Sequence, residues 1–199
     1  DGIGVFMVDR QAEGVQLDAW RSVDGQHAAD IELDVLLDDD ARLGSGDARD
    51  ALDEALDRGL AALCADALGV LDRILAATVQ YTRDRVQFGT PIGRLQALQH
   101  RMADMVIATE QARSMATLAA VRVDSADAAE RSRSVAAAKA YVAQSARLVG
   151  QQAVQLHGGM GVVDELNVSH YFKRLTMIGL TFGDADYHLG RFSDTLLAA

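Results

Sequence analysis

The chain has 199 residues, 49% hydrophobic and 24% charged, with a formal net charge of −10, which is enough apolar material for one globular domain or one and a fraction. So acidic a surface repels both a nucleic-acid backbone and an anionic membrane, and a single cysteine, Cys64, excludes an internal disulfide and a cysteine-rich zinc site. No apolar stretch reaches bilayer length and DGIGVFMVD has no basic head, so the expectation is a cytoplasmic protein without a membrane partner.

Residues 1–45 contain short runs rich in valine, isoleucine and leucine: VFMVD, VQLDAW and ADIELDVLL. IELDV alternates apolar and acidic residues, the period of a half-buried strand. Three or four strands in so short a segment have little core of their own, so this segment is expected to be the later part of a β-domain within a longer protein.

Strand signals stop near residue 45. Leu52, Leu56, Leu60, Leu63, Val70 and Ile74 then keep one helical face apolar across a segment from Asp47 to Arg83, about 50 Å long at the α-helical rise. The break FGTPIG, with Pro91, separates it from a second long helix marked by Leu95, Leu98, Met102, Met105, Met115, Leu118 and Val121. A third runs from Ala126 to His157, and two shorter helices follow, carrying Val168, Phe172 and Leu175, then Leu189, Phe192 and Leu196. The fold class is α+β: a partial β-domain over residues 1–45 followed by a helical-bundle domain over 46–199. Met102, Met105 and Met115 read as a core stripe, and Cys64 as a buried, inert thiol. A carboxylate-bridged metal bundle would need E-x-x-H, which does not occur, and His170 and His188 are too far apart in sequence to suggest a zinc pair.

Two stretches carry candidate chemistry. In QLHGGMG, Gly158 stands where the third helix needs a left-handed cap. Gly159 and Gly161 are surplus to capping; bare backbone there admits a phosphate or a ring, or simply makes a turn. His157 precedes the cap and serves either it or a ligand. In RDRVQFGTPIG, Arg85 either complements the dipole of the first long helix or holds an anion. Gln87 and Phe88 beside it supply an amide and a ring, a set able to hold a pyrophosphate and an adenine.

RVQFGTPIGRLQALQHRMADM, with QLHGGMGVVDELNVSHYFKRL downstream, resembles the C-terminal half of an acyl-CoA dehydrogenase. The resemblance covers the whole chain, from the later part of the middle β-domain to an acyl-CoA dehydrogenase-type C-terminal four-helix bundle. It implies FAD, an acyl-CoA thioester desaturated between its α and β carbons, and an electron-transfer flavoprotein as acceptor. Arg85, Gln87 and Phe88 match the family's R-x-[TQ]-F motif, and Gln155, Gly158 and Gly159 match its Q-x-x-G-G-x-G motif. Both motifs hold the ADP part of the FAD of a neighbouring subunit in the family, which implies an oligomer.

Three departures qualify the resemblance. The family's catalytic glutamate in Y-E-G-T aligns with Phe182, or with Gly183 one position on. The alternative glutamate on the first long helix aligns with Gly59, and Leu60 stands where an arginine is common. The N-terminal half that completes a flavin site and most of the acyl pocket is not in this sequence. The resemblance therefore implies a subunit lacking the usual base in a heteromeric enzyme, and the tail FGDADYHLGRF is similar to small subunits of such bacterial dehydrogenases. Two alternatives stand beside it: a homo-oligomeric dehydrogenase with Asp184 as base, and a flavin-free helical scaffold. Asp184 or Asp186 also suits the cap of the last helix.

Overall fold

In the computed structural model, which describes residues 2–197, the β-rich runs pair locally as narrow antiparallel ribbons. Strand β1 (Val5–Phe6) pairs with β4 (Arg42–Leu43), and β2 (Val15–Arg21) pairs with β3 (His27–Leu33), with Val15 opposite Leu33 and Arg21 opposite His27. Gly14, at φ +87°, admits the close approach of the Asp34 carbonyl, where a β-carbon would come within 1.9 Å. The alternation in IELDV does not produce a half-buried strand. Ile31 and Leu33 are exposed, as is Trp20 across the ribbon, because no second layer within residues 1–55, one compact unit of the chain, covers a two-stranded ribbon.

The second unit, Leu56–Ala199, is helical. Helix α1 (Arg49–Asp84) leads into the pair β5 (Val86–Gln87) and β6 (Thr90–Pro91), then α2 (Gln96–Arg122), α3 (Ala128–His157), α4 (Asn167–Leu180) and α5 (Ala185–Leu197). The helices begin one or two residues later than the periodicity placed them. For α3 the reason is a cap: the Asp127 carboxylate accepts from the Ala129 and Glu130 backbone N–H groups at 2.9 and 3.1 Å. The β5–β6 hairpin corrects the expectation that strands end near residue 45.

One core joins the bundle. Leu60, Leu71 and Ile74 of α1 meet Met105 of α2, Val135, Val142 and Val149 of α3, and Leu175 and Ile178 of α4. Met102 and Met115 flank it, as the methionine stripe suggested. Ala108, Ala112, Ala116 and Ala119 line the buried face of α2 and Ala138, Ala146 and Ala153 that of α3, so these helices meet through small side chains. Cys64 is fully buried, and burial pushes its thiol pKa up to about 11, with Lys139 opposing the shift.

A buried ion cluster fastens three helices at one end. Asp57 of α1, with no exposed surface, accepts from Arg131 Nε of α3 at 3.3 Å and from Arg191 Nη2 of α5 at 3.2 Å. Arg191 Nη2 also donates to Ser132 Oγ at 2.7 Å. Removing one charge from such a cluster leaves the others buried without compensation. Asp57→Asn is therefore expected to lower unfolding stability by about 3–5 kcal/mol, read as the shift in urea midpoint followed by helical circular dichroism.

Candidate functional site

The site is built where α1 and α3 end. Tyr81, one turn before the end of α1, stacks on His157, the last residue of α3, with ring centroids 4.2 Å apart and planes at 26°. The Tyr81 hydroxyl donates to the His157 carbonyl at 3.4 Å, and the Arg85 N–H donates to the Tyr81 carbonyl at 2.9 Å. The stack thus fastens the turn that leads into Arg85 to the turn that leads into Gly158, bringing the two motifs to one end of the bundle. His157 is buried and its Nδ1 donates to the Ala153 carbonyl at 2.8 Å. Burial lowers its pKa, with that hydrogen bond opposing; His157 therefore serves the packing of the cap.

Beyond Arg85 the chain reverses through the β5–β6 hairpin. Val86 pairs with Pro91 and Gln87 with Thr90, leaving Phe88 and Gly89 as the two turn residues. Both have positive φ, +53° and +76°, the mark of a type I′ turn that matches the twist of its strands. The hairpin is held at its base by the Ile92 N–H to the Arg85 carbonyl at 2.8 Å. Gly93 packs so closely there that a β-carbon would lie 3.0 Å from the Thr82 carbonyl. Phe88 is 90% exposed at the tip, Arg85 and Gln87 are exposed beside it, and the Arg85 guanidinium has no ion-pair or hydrogen-bond partner among the described residues.

The three glycines after α3 have three different roles. Gly158 caps the helix at φ +61°, ψ −142°, a region open only to glycine and not the left-handed helical cap that the sequence suggested. Gly161 is buried, and a β-carbon there would lie 2.7 Å from the Val154 carbonyl, so it is required by packing. Gly159 has no neighbour within 4 Å and no positive φ; nothing inside this chain requires a glycine there. Gln155 and Gly158 are exposed beside it.

A second constellation lies at the α4–α5 turn. A β-carbon built on Gly59 of α1 would sit 3.7 Å from Phe182 Cε2. Gly59 and Phe182, two positions at which the resemblance led us to expect the family's alternative glutamates, are therefore neighbours in space, and Phe182 is 54% exposed. Phe182 has φ +58°; it and Phe88 are the non-glycine residues with positive φ among the described residues. Asp184 accepts from the Tyr187 N–H at 2.9 Å, the N-cap contact of α5. It also lines a groove of about 520 Å³ between α3 and α4 whose walls include neither Gly59 nor Phe182. No group of three or more metal-ligating side chains occurs among the described residues, and no described helix is long and apolar enough to cross a membrane.

Residues 48–197 match the family described as acyl-CoA dehydrogenase, C-terminal domain, and the chain belongs to that family. It is similar to the acyl-CoA dehydrogenase IpdE2 of Mycolicibacterium smegmatis, 39% identical over 123 residues, which is 59% of this chain and 37% of the relative. It is also similar to the crystal structure of the ChsE4–ChsE5 complex from Mycobacterium tuberculosis, at a TM-score of 0.88 and 31% identity, covering 98% of this chain and 52% of that one. Butyryl-CoA dehydrogenase from Megasphaera elsdenii follows the same fold, at a TM-score of 0.86 and 25% identity, with 98% and 52% covered. The chain thus spans about a third to a half of the length of these relatives.

The sequence did not single out Tyr81, whose signal is only its place one turn before Arg85. Nor did it single out Lys139, a lone cation in register with Val135, Val142 and Val149 on the buried face of α3. The glycine roles separate by substitution. Gly161→Ala is expected to destabilise the chain by about 1–3 kcal/mol through overpacking, and Gly159→Ala to leave the urea midpoint unchanged.

Proposed function

We propose that the chain is the base-lacking subunit of a heteromeric, FAD-dependent acyl-CoA dehydrogenase, lending Arg85, Gln87, Phe88, Gln155, Gly158 and Gly159 to the flavin of a neighbouring subunit. The observation that carries this reading is the placement of Phe182 beside Gly59. The positions that the resemblance offers for the family's glutamate, Gly59 and Phe182 or Gly183, hold groups that cannot take a proton, and Phe182 Cε2 lies where only a β-carbon on Gly59 would touch it, at 3.7 Å. The remaining acid, Asp184, is engaged in capping α5 and faces a different groove. A general base must reach its proton, which supports a base carried by the partner chain. The similar ChsE4–ChsE5 structure is itself a complex of two named chains, which supports a partner chain.

The outward residues fit an ADP group. An exposed, unpaired guanidinium suits a pyrophosphate, the exposed Phe88 ring offers a face or edge to an adenine, and the open backbone at Gly159 admits close approach. Bound FAD would supply the hydride acceptor for α,β-desaturation of an acyl-CoA thioester, with an electron-transfer flavoprotein downstream. The part played by this chain is to bind and orient the cofactor's distal half.

Two substitutions test the two halves of the reading. Arg85→Ala, in the chain co-expressed with a dehydrogenase-like partner, is expected to weaken flavin retention about tenfold or more through loss of a charge-assisted contact, read from the visible flavin band per chain. Unchanged flavin content would instead favour the flavin-free scaffold. Asp184→Asn preserves capping, since asparagine caps as well as aspartate, and turnover of the assembly is expected to stay at the parent level. Loss of turnover with FAD still bound would establish Asp184 as the base of a homo-oligomer.

A further inference from the structure

Lys139 has no exposed surface, although it carries an ammonium in the middle of α3. Among the described residues it makes no ion pair; its Nζ donates to the Gly179 carbonyl at 3.2 Å and the Gly183 carbonyl at 2.7 Å. Gly179 lies in the last turn of α4, where carbonyls lack partners within the helix and the helix dipole is negative. His188 of α5, also without exposed surface, donates from Nε2 to the Phe182 carbonyl at 2.9 Å and leaves its Nδ1 unpartnered. Two buried donors from two helices therefore hold two carbonyls of one short turn and one of the helix end before it. Gly183 tightens it further, at φ +104°, because a β-carbon there would meet the Tyr187 ring at 2.4 Å.

Taking an ammonium out of water costs several kcal/mol, and hydrophobic replacements of similar volume are often no less stable. A buried lysine whose contacts are carbonyls of a turn is therefore better explained by what it positions than by what it adds to stability. Burial lowers the pKa of Lys139, while electrostatic interactions with Cys64 and Asp184 oppose that shift. The left-handed φ of Phe182 is unfavourable for a bulky residue and persists only where its surroundings impose it.

We propose that Lys139 is a positioning residue: with His188 it fixes the turn 181–184 so that Phe182 lies against Gly59 and presents a ring, in place of a carboxylate, to any ligand at that position. The functional part of this proposal rests on the reading of the α4–α5 turn as the emptied base position; the positioning part does not. The test places a single tryptophan in the turn, by Phe182→Trp in a Trp20→Phe background of the full chain. Lys139→Met and Lys139→Gln, neither of which can reach both carbonyls with a charged donor, are each expected to shift the emission to the red and raise acrylamide quenching about twofold as the turn opens locally.

Gly161→Ala, which weakens the bundle at the far end of α3, is expected to leave the emission unmoved, separating positioning from general destabilisation. An unmoved reporter in a folded Lys139 variant overturns the proposal, as does an equal shift in Gly161→Ala. Should the methionine variant not fold, the glutamine variant decides alone by the same criterion. The measurement needs no flavin and no partner, so a flavin-free assembly would sink the function proposed above and leave this result standing.

Discussion

The constraint from which the rest follows is that α3 is buried nearly all the way round. Val135, Ala136, Ala138, Lys139, Ala140, Val142 and Ala143 are all buried over little more than two turns, so bulk is confined to one outer stripe that includes Tyr141, Gln144, Leu148 and Gln151. Alanine meets the requirement, since it costs no side-chain entropy in a helix and lets neighbouring backbones approach. The same crowding requires every polar side chain on α3 to find a partner or be excluded. Arg131 finds Asp57, Lys139 finds the turn after α4, and His157 finds Tyr81 and the Ala153 carbonyl. Each exception to the apolar rule marks a joint at which another element is fixed in place.

Helix content was legible because α1 to α3 repeat their apolar residues over many turns, and long periodic segments outweigh local noise. The ends moved by a residue or two because caps such as Asp127 decide them. The first ribbons were legible as strands but not as exposed ones, because burial depends on a covering layer and the alternation in IELDV says nothing about whether one is present. The β5–β6 hairpin could not be read at all. Its strands are two residues long and carry no period, and its turn is Phe–Gly where the strong hairpin signals are Asn–Gly and Asp–Gly.

The candidate site was legible through its motifs and not through its geometry. Arg85, Gln87, Phe88, Gln155, Gly158 and Gly159 stand at exposed turns, and the stack that brings the two segments together is invisible without coordinates because Tyr81 and His157 are 76 residues apart. The glycine cluster shows the same limit. Sequence gives three equivalent letters, whereas backbone angle singles out Gly158, steric closeness singles out Gly161, and only Gly159 is left without an internal reason.

The two positive-φ phenylalanines connect these points. A left-handed conformation costs a non-glycine residue about 1–2 kcal/mol, and the two cases are compensated differently. Phe182 is held through its backbone by donors within the chain, and its half-exposed ring stands beside Gly59. Phe88 has no comparable return: its ring is almost wholly in solvent at the tip of the hairpin, and glycine would make the same turn without strain. A strained, exposed aromatic beside an unpaired arginine is unfavourable for this chain alone and becomes favourable only when a ligand or a second chain covers it. On the proposed reading, then, two residues of the same kind serve two separate places, Phe182 beside Gly59 in the first third of α1 and Phe88 just beyond the C-terminal end of that helix. Phe182, itself 54% exposed, stands at the place of the missing acid, while Phe88 turns outward towards a cofactor that another subunit holds.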